Sequence, residues 1–232
     1  PDIVLALLGA GGDAKTTRAD GTSALELCAR GSTPVVLERL IADGADVNAA
    51  DPQGQTPLMW AAEKGRTGNI ALLLKQGAGV NAVSRKGFTP LIFAIKSQVT
   101  EAATLILNAG ADTKRDLPDG SPLIDAAILV RNFPIALELV SRGVDINRRD
   151  TEGRQLIHLA ALSGNADLVK AVLVKGADPN AMSQPKPPKY VDPVPGANGG
   201  ATPLLFAAAA GSVDAMKALI AAGAKPDIKG ED

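Results

Sequence analysis

Between Asp51 and Val83 the apolar residues fall into two blocks separated by polar and turn-forming ones. The first block, Leu58-Met59-Trp60-Ala61-Ala62, follows Thr56-Pro57 and gives way to Glu63-Lys64-Gly65. Thr is a good N-cap, and Pro at the first helical position forfeits only an N–H that would be unpaired anyway. The pattern predicts a short helix from there to about Lys64, ended by Gly65. In the second block Ile70, Leu73 and Leu74 stand at i, i+3, i+4, the spacing of one apolar helix stripe. Gly77, just past its last turn, is placed as a left-handed C-cap. Ahead of both blocks, Asp51-Pro52-Gln53-Gly54 reads as a tight finger turn in which Gly54 supplies a positive φ. Neither helix is long enough to persist alone in water, so packing between such units has to hold them.

The pattern recurs. Gly21, Gly54, Gly87, Gly120 and Gly153 are each 33 residues apart, and Gly11, Gly44, Gly77, Gly110, Gly143 and Gly176 keep the same period. A fixed period of this length marks a supersecondary unit that stacks on its copies into a one-dimensional core. The next members, Gly200 and Gly223, each arrive after 47 residues, so 14 extra residues interrupt the beat. The reading divides residues 1–232 into one array: a half repeat 1–17, full repeats 18–50, 51–83, 84–116, 117–149, 150–182 and 197–229, and a Pro-rich insertion 183–196. Leu7-Leu8 and Gly11 fall in register with Leu40-Ile41 and Gly44, which makes the apolar start the second helix of a repeat instead of a signal peptide. One irregularity stands out: Gly120 to Leu123 is one residue shorter than Gly54 to Leu58. The expectation is that Val130-Arg131-Asn132 restores the missing residue, with local geometry that differs from its neighbours.

Thr56-Pro57-Leu58, Thr89-Pro90-Leu91, Ser121-Pro122-Leu123, Thr202-Pro203-Leu204 and, in degenerate form, Thr22-Ser23-Ala24-Leu25 and Gln155-Leu156-Ile157-His158 each open a unit. With the 33-residue period, this resembles the ankyrin-repeat family and its Thr-Pro-Leu-His signature. The resemblance implies an all-α solenoid of paired antiparallel helices with finger loops, about six full repeats plus an N-terminal half repeat. It also implies that His158 hydrogen-bonds neighbouring loops, and that a protein partner docks on the finger tips and the exposed face of each first helix. The Ala-rich style resembles bacterial arrays.

Composition narrows the function. Lys and Arg number 24 against 25 Asp and Glu, which gives no general electrostatic pull toward nucleic acid or an anionic membrane. Aromatics are 3 % of residues, too few for base-stacking platforms. Cys28 is the single cysteine and His158 the single histidine, so a disulfide, a thiolate metal cluster or a His-dependent triad has little to be made from. Cys28 stands where other units have Ala61 and Ala160, and Asp46, Asp112, Asp145 and Asp178 follow the period as turn residues. No phosphate-binding loop, dinucleotide fingerprint or nucleophile elbow is present. The chain reads as non-catalytic, with no catalytic residue, cofactor or metal. The compartment is left open between cytoplasm and periplasm.

Positions that do not hold the stack are free to vary, and these are the candidate contacts. They are Ala19, Asp20, Thr22 and Arg30; Pro52, Gln53, Gln55, Glu63 and Lys64; Arg85, Lys86, Phe88, Lys96 and Ser97; Pro118 and Asp119; and Thr151, Glu152, Arg154, Leu162 and Ser163. Phe88 is either a partner anchor or a cap on its neighbour's finger. Trp60, in register with Phe93 and Phe206, is either a core filler or an aromatic anchor. Arg85, Lys86, Arg115, Arg148 and Arg149 interleave with Asp116, Asp119, Asp150 and Glu152, either as a mixed solvated edge or as a surface for an acidic partner. The insertion carries Lys189 and Tyr190, and is either a tolerated loop or a partner-contacting arm. Three functions compete: an interaction scaffold, a regulatory or docking module of a larger enzyme or redox protein, and a structural spacer that self-assembles. A start in mid-repeat and an end where the next finger would begin read as a piece of a longer polypeptide.

Overall fold

The computed structural model describes residues 2–184 and 200–227. Among these residues the fold is all-helical, with thirteen helices: α1 (Asp2–Gly9), α2 (Ala24–Gly31), α3 (Pro34–Ala42), α4 (Pro57–Glu63), α5 (Thr67–Lys75), α6 (Pro90–Lys96), α7 (Thr100–Asn108), α8 (Leu123–Leu129), α9 (Phe133–Ser141), α10 (Leu156–Leu162), α11 (Ala166–Val174), α12 (Pro203–Ala209) and α13 (Val213–Ala221). Among the described residues extended pairing is limited to two isolated bridges, Thr17 with Ser23 and Arg149 with Gln155.

Two compact units divide the chain, Pro1–Thr113 with α1 to α7 and Lys114–Asp232 with α8 to α13. In unit 1 the first helices α2, α4 and α6 pack in one row, the second helices α1, α3, α5 and α7 in another, and each pair closes on itself. Unit 2 repeats the scheme with α8, α10, α12 and α9, α11, α13. Between the rows lies an aliphatic core, in which Leu58, Met59, Ala61, Ala62, Ile70 and Leu73 of one helix pair are fully buried. Burial of each Leu or Ile is worth about 1.5–3 kcal/mol, which is what keeps helices of seven to nine residues folded. Leu74, expected on the buried stripe, sits half-exposed at its edge.

The helix ends follow the sequence chemistry. Thr56 Oγ1 accepts from Met59 N–H and Thr89 Oγ1 from Ile92 N–H, with Pro57 and Pro90 at the first helical position. Gly77 takes φ 84°; its N–H donates to Leu74 O, and Ala78 N–H donates to Leu73 O, which satisfies the orphan carbonyls of α5.

At α8 the expectation of a missing residue is corrected. Helix α8 starts at Leu123, three residues after Gly120, just as α4 starts at Pro57, three after Gly54. Nothing is missing: Pro122 has moved to the N-cap, and Ile124 fills the buried place of Leu58. Nor does the following turn differ. Arg131 adopts φ 57° where Gly65 has 59°, and the bonds Arg131 N–H to Ile128 O and Asn132 N–H to Ala127 O repeat those of Gly65 and Arg66. Arg131, like Gln98 at φ 62° in the preceding repeat, carries left-handed strain that Gly65 avoids.

A periodic asparagine joins successive pairs within each unit. Asn48 donates from Nδ2 to Gly77 O and accepts from Gly79 N–H at Oδ1. Asn81 does the same with Gly110 and Asp112, and Asn180 with Gly223 and Lys225. Buried Asn69 adds a tie from α5 to the carbonyls of Ala29 and Ser32.

Candidate protein interface

Each finger is a backbone hairpin held by its own aspartate or serine. Asp51 N–H donates to Gln55 O, while Asp51 Oδ1 accepts from Gln53 and Gln55 N–H. Asp150 holds Glu152 and Arg154 in the same way, and Ser84 Oγ accepts from Phe88 N–H. Asp46, Asp145 and Asp178 cap their turns by accepting backbone N–H bonds two residues on. These carboxylates are spent on geometry.

Fixed fingers and the first-helix row leave a face in unit 1 where most of the sequence candidates meet. Gln53, Lys64, Arg85, Lys86 and Lys96 are exposed, and Gln55, Glu63 and Phe88 half-buried. Thr22, expected among the contacts, is buried instead. Trp60 and Phe93 project from the same position of α4 and α6 and are half-buried. Arg30 lies 5.1 Å from the Trp60 ring centre and 3.9 Å from Glu63, which also pairs with Lys64 at 3.3 Å. Phe88 leans on Phe93 of its own unit, ring centres 5.6 Å apart, with Lys96 Nζ at 5.0 Å. Its ring thus packs on the following helix of its own repeat. The indole N–H of Trp60 is buried and finds no acceptor among the described residues.

In unit 2 the candidates Arg148, Arg149 and Arg154 are engaged within the scaffold, while Arg115 is exposed. Arg148 pairs with Asp116 at 2.5 Å, and Arg149 donates to the carbonyls of Gly153 and Met182. Arg154 pairs with Asp150 at 2.8 Å and with Glu152 at 3.0 Å. His158 is fully buried: Nδ1 accepts from Gln155 N–H at 3.1 Å, which leaves Nε2–H to donate to Ala181 O at 2.9 Å. Burial pulls its pKa below the usual histidine value and keeps it neutral. Phe206 meets the imidazole edge-on. The histidine thus ties its helix to the next loop.

Asp125 is the residue the sequence reading passed over. It stands third in α8, the position of His158 in α10 and Glu26 in α2. Glu26 reaches back to the N–H of its N-cap Ser23, closing a capping box, although burial still raises its pKa. Asp125 faces Pro122 at that place, which has no N–H to give. Burial, reinforced by the charges of Asp150 and Asp119 and only partly offset by Arg154 and Arg148, pushes its pKa up to about 7.

Ser183 and Gln184 open the segment read as an insertion, yet they hold finger places. Ser183 N–H donates to Ala201 O, Ser183 Oγ accepts from Ala201 N–H, and Gln184 N–H donates to Gly153 O, as Arg85 N–H does to Gln53 O. Lys189 and Tyr190 lie outside the described residues.

Helix pairs stacked within each unit, joined by hydrogen-bonded fingers and displaying their variable side chains on one row of helices, define a helical-repeat protein. The chain belongs to the ankyrin-repeat family: the model for "Ankyrin repeats (3 copies)" matches residues 1–84, 27–116, 70–150 and 123–230. Among solved structures it is similar to the human ASB11 ankyrin repeat domain, with a TM-score of 0.70, 24 % identity, and 90 % of this chain and 89 % of that one covered. That likeness speaks to the fold. No curated protein sequence matches the chain. Ankyrin repeats are in general protein-binding modules, and no helix among the described residues is long and apolar enough to cross a membrane.

Proposed function

We propose that the protein is a non-catalytic interaction module that binds a protein partner through the first-helix and finger face of unit 1. One observation carries the reading. The chain has six aromatic residues outside histidine, and three of them, Trp60, Phe88 and Phe93, stand half-exposed on this face. Unit 2 fills the matching places of Trp60 and Phe88 with Ala126 and Ser121 in its first repeat, so the fold does not require rings there. Half-buried aromatics beside arginine are the side chains that anchor protein interfaces. Gln53, Gln55, Glu63, Lys64, Arg85, Lys86 and Lys96 form the polar surround, while Lys189 and Tyr190 are proposed as a second contact from the Pro-rich segment.

The test is capture of the partner from the native source by the tagged full chain, quantified for single variants. Trp60→Ala is expected to lose about tenfold in capture with a melting point that falls only slightly, because Ala126 already occupies that position. Leu129→Ala in unit 2 is expected to leave capture unchanged. The reverse outcome moves the site to unit 2. Deleting residues 185–198 restores the 33-residue spacing while keeping Ser183 and Gln184, and reduced capture by that variant supports the arm.

A further inference from the structure

Unit 1 contains ten Lys and Arg against eleven Asp and Glu, so as a whole it is close to neutral. Its charges are nevertheless sorted. Arg30, Lys64 and Lys96 are exposed, one at the end of each of the helices α2, α4 and α6, and Arg85 and Lys86 are exposed on the finger before α6. Two acids lie among them: Glu63, between Arg30 and Lys64, and exposed Asp20 on the first finger, which pairs with Arg18 at 3.8 Å. The other exposed acids of the unit sit elsewhere: Glu38 on α3, Glu101 on α7, and Asp13, Asp43, Asp46 and Asp112 in the turns that follow second helices. Sorting of this kind gives one face a positive potential that net charge conceals.

We infer that the occupant of this face is an acidic, extended segment of a protein partner, with carboxylates about three residues apart. The inference rests on the interface proposed above and names its partner class. The cations come one per helix along a row, and packed helices stand about 8–10 Å apart. An extended chain of polyproline type rises about 3.1 Å per residue with three residues per turn, so every third side chain returns to the same side after about 9 Å. Glu or Asp at i, i+3 and i+6 therefore meets Arg30, Lys64 and Lys96 in turn, while apolar residues between them meet Trp60 and Phe88. The two cation–ring contacts already hold Arg30 and Lys96 in place, which lowers the ordering cost of binding.

Fluorescence anisotropy on the full chain tests this with three labelled peptides of one length. One has Glu at every third position among Pro and Ala, one has the same residues with the Glu clustered, and one has Lys in place of Glu. The spaced Glu peptide is expected to bind about tenfold tighter than either of the others, and to weaken as salt rises. Lys64→Glu with Lys96→Glu is expected to abolish that binding and create binding of the Lys peptide, with the melting point unchanged. Glu63→Gln, which removes the competing carboxylate, is expected to tighten it. Absence of binding, equal binding by the charge-reversed variant, or indifference to salt each overturns the inference. If Trp60→Ala loses the native partner while the Glu peptide fails to bind, the interface stands and the acidic partner falls.

Discussion

The two units use one scaffold and decorate it differently at matching positions. At the seventh place of the first helix unit 1 has Arg30, Glu63 and Lys96, whereas unit 2 has Leu129, Leu162 and Ala209, with Leu129 84 % exposed. At the third place unit 1 has Glu26, Met59 and Ile92, all buried, and unit 2 has Asp125, His158 and Leu205. The fifth place hardly varies: Cys28, Ala61, Ala94, Ala127, Ala160 and Ala207 are all buried. Helices packed this closely admit only a small side chain at the fifth place, so packing selects it. The seventh place faces outward, where packing does not select the side chain. The third lies between, deep enough for polarity to be costly and near enough to the loops for polarity to be used.

The largest effect should come from that third place. His158→Met, which installs the side chain that α4 has there as Met59, leaves the Ala181 carbonyl and the Gln155 N–H without their partner, and should destabilise by about 1–3 kcal/mol in urea unfolding. A cost near zero would mean that the histidine is a space-filler like Met59.

Asp125 should behave in the opposite sense. Its folded pKa of about 7 exceeds the unfolded value near 3.8, so the folded state binds the extra proton between those limits. Stability contributed at low pH is therefore lost as pH rises from about 4 to 7, and the penalty is constant above. Asp125→Asn should stabilise by about 1–2 kcal/mol at pH 8, allowing for solvent screening of a half-buried group, and the gain should vanish below pH 4. Melting curves at both pH values check this, and a gain independent of pH would assign the effect to something other than the charge.

Smaller again is the strain at Arg131. Arg131→Gly should stabilise by about 0.5–1 kcal/mol, as should Gln98→Gly in unit 1, where φ is 62°. If only one gains, the Arg131 guanidinium over Phe133, at 5.2 Å, compensates for its backbone. The smallest effect belongs to Leu129→Lys, which copies the charge of unit 1 onto unit 2. It should change stability by less than about 0.5 kcal/mol, and a larger loss would show that the exposed leucine packs on something.

Much of this was legible before the structure. The caps at Thr56 and Thr89, the C-terminal glycines and the aspartate turns are local, and local hydrogen-bond chemistry reads directly from residue type and spacing. Other features were legible in principle. Asn48, Asn81 and Asn180 keep the registers of their repeats, and Ser23 with Glu26 has the spacing of a capping box, yet neither pattern says where the side chain goes. At Ser121-Pro122 the residue order misled, because Pro122 was aligned with Pro57 although it caps the helix one position earlier. The helix kept its register because Ile124 had to reach the buried place of Leu58.

The sequence by itself determined the repeat, the helix pairs and the identity of the core, since a 33-residue period and short-range capping leave few other ways to bury the apolar stripes. Only the tertiary structure decided which charged residues are available. Arg148, Arg149 and Arg154 look as available in sequence as Arg85 and Lys86, but the fold sets carboxylates and carbonyls beside the first three. It also gathers Trp60, Phe88 and Phe93 on one face of first helices and fingers and leaves Asp125 facing a proline. Those outcomes depend on what neighbouring helices and fingers bring within a few ångströms, a distance that spacing along the chain does not encode.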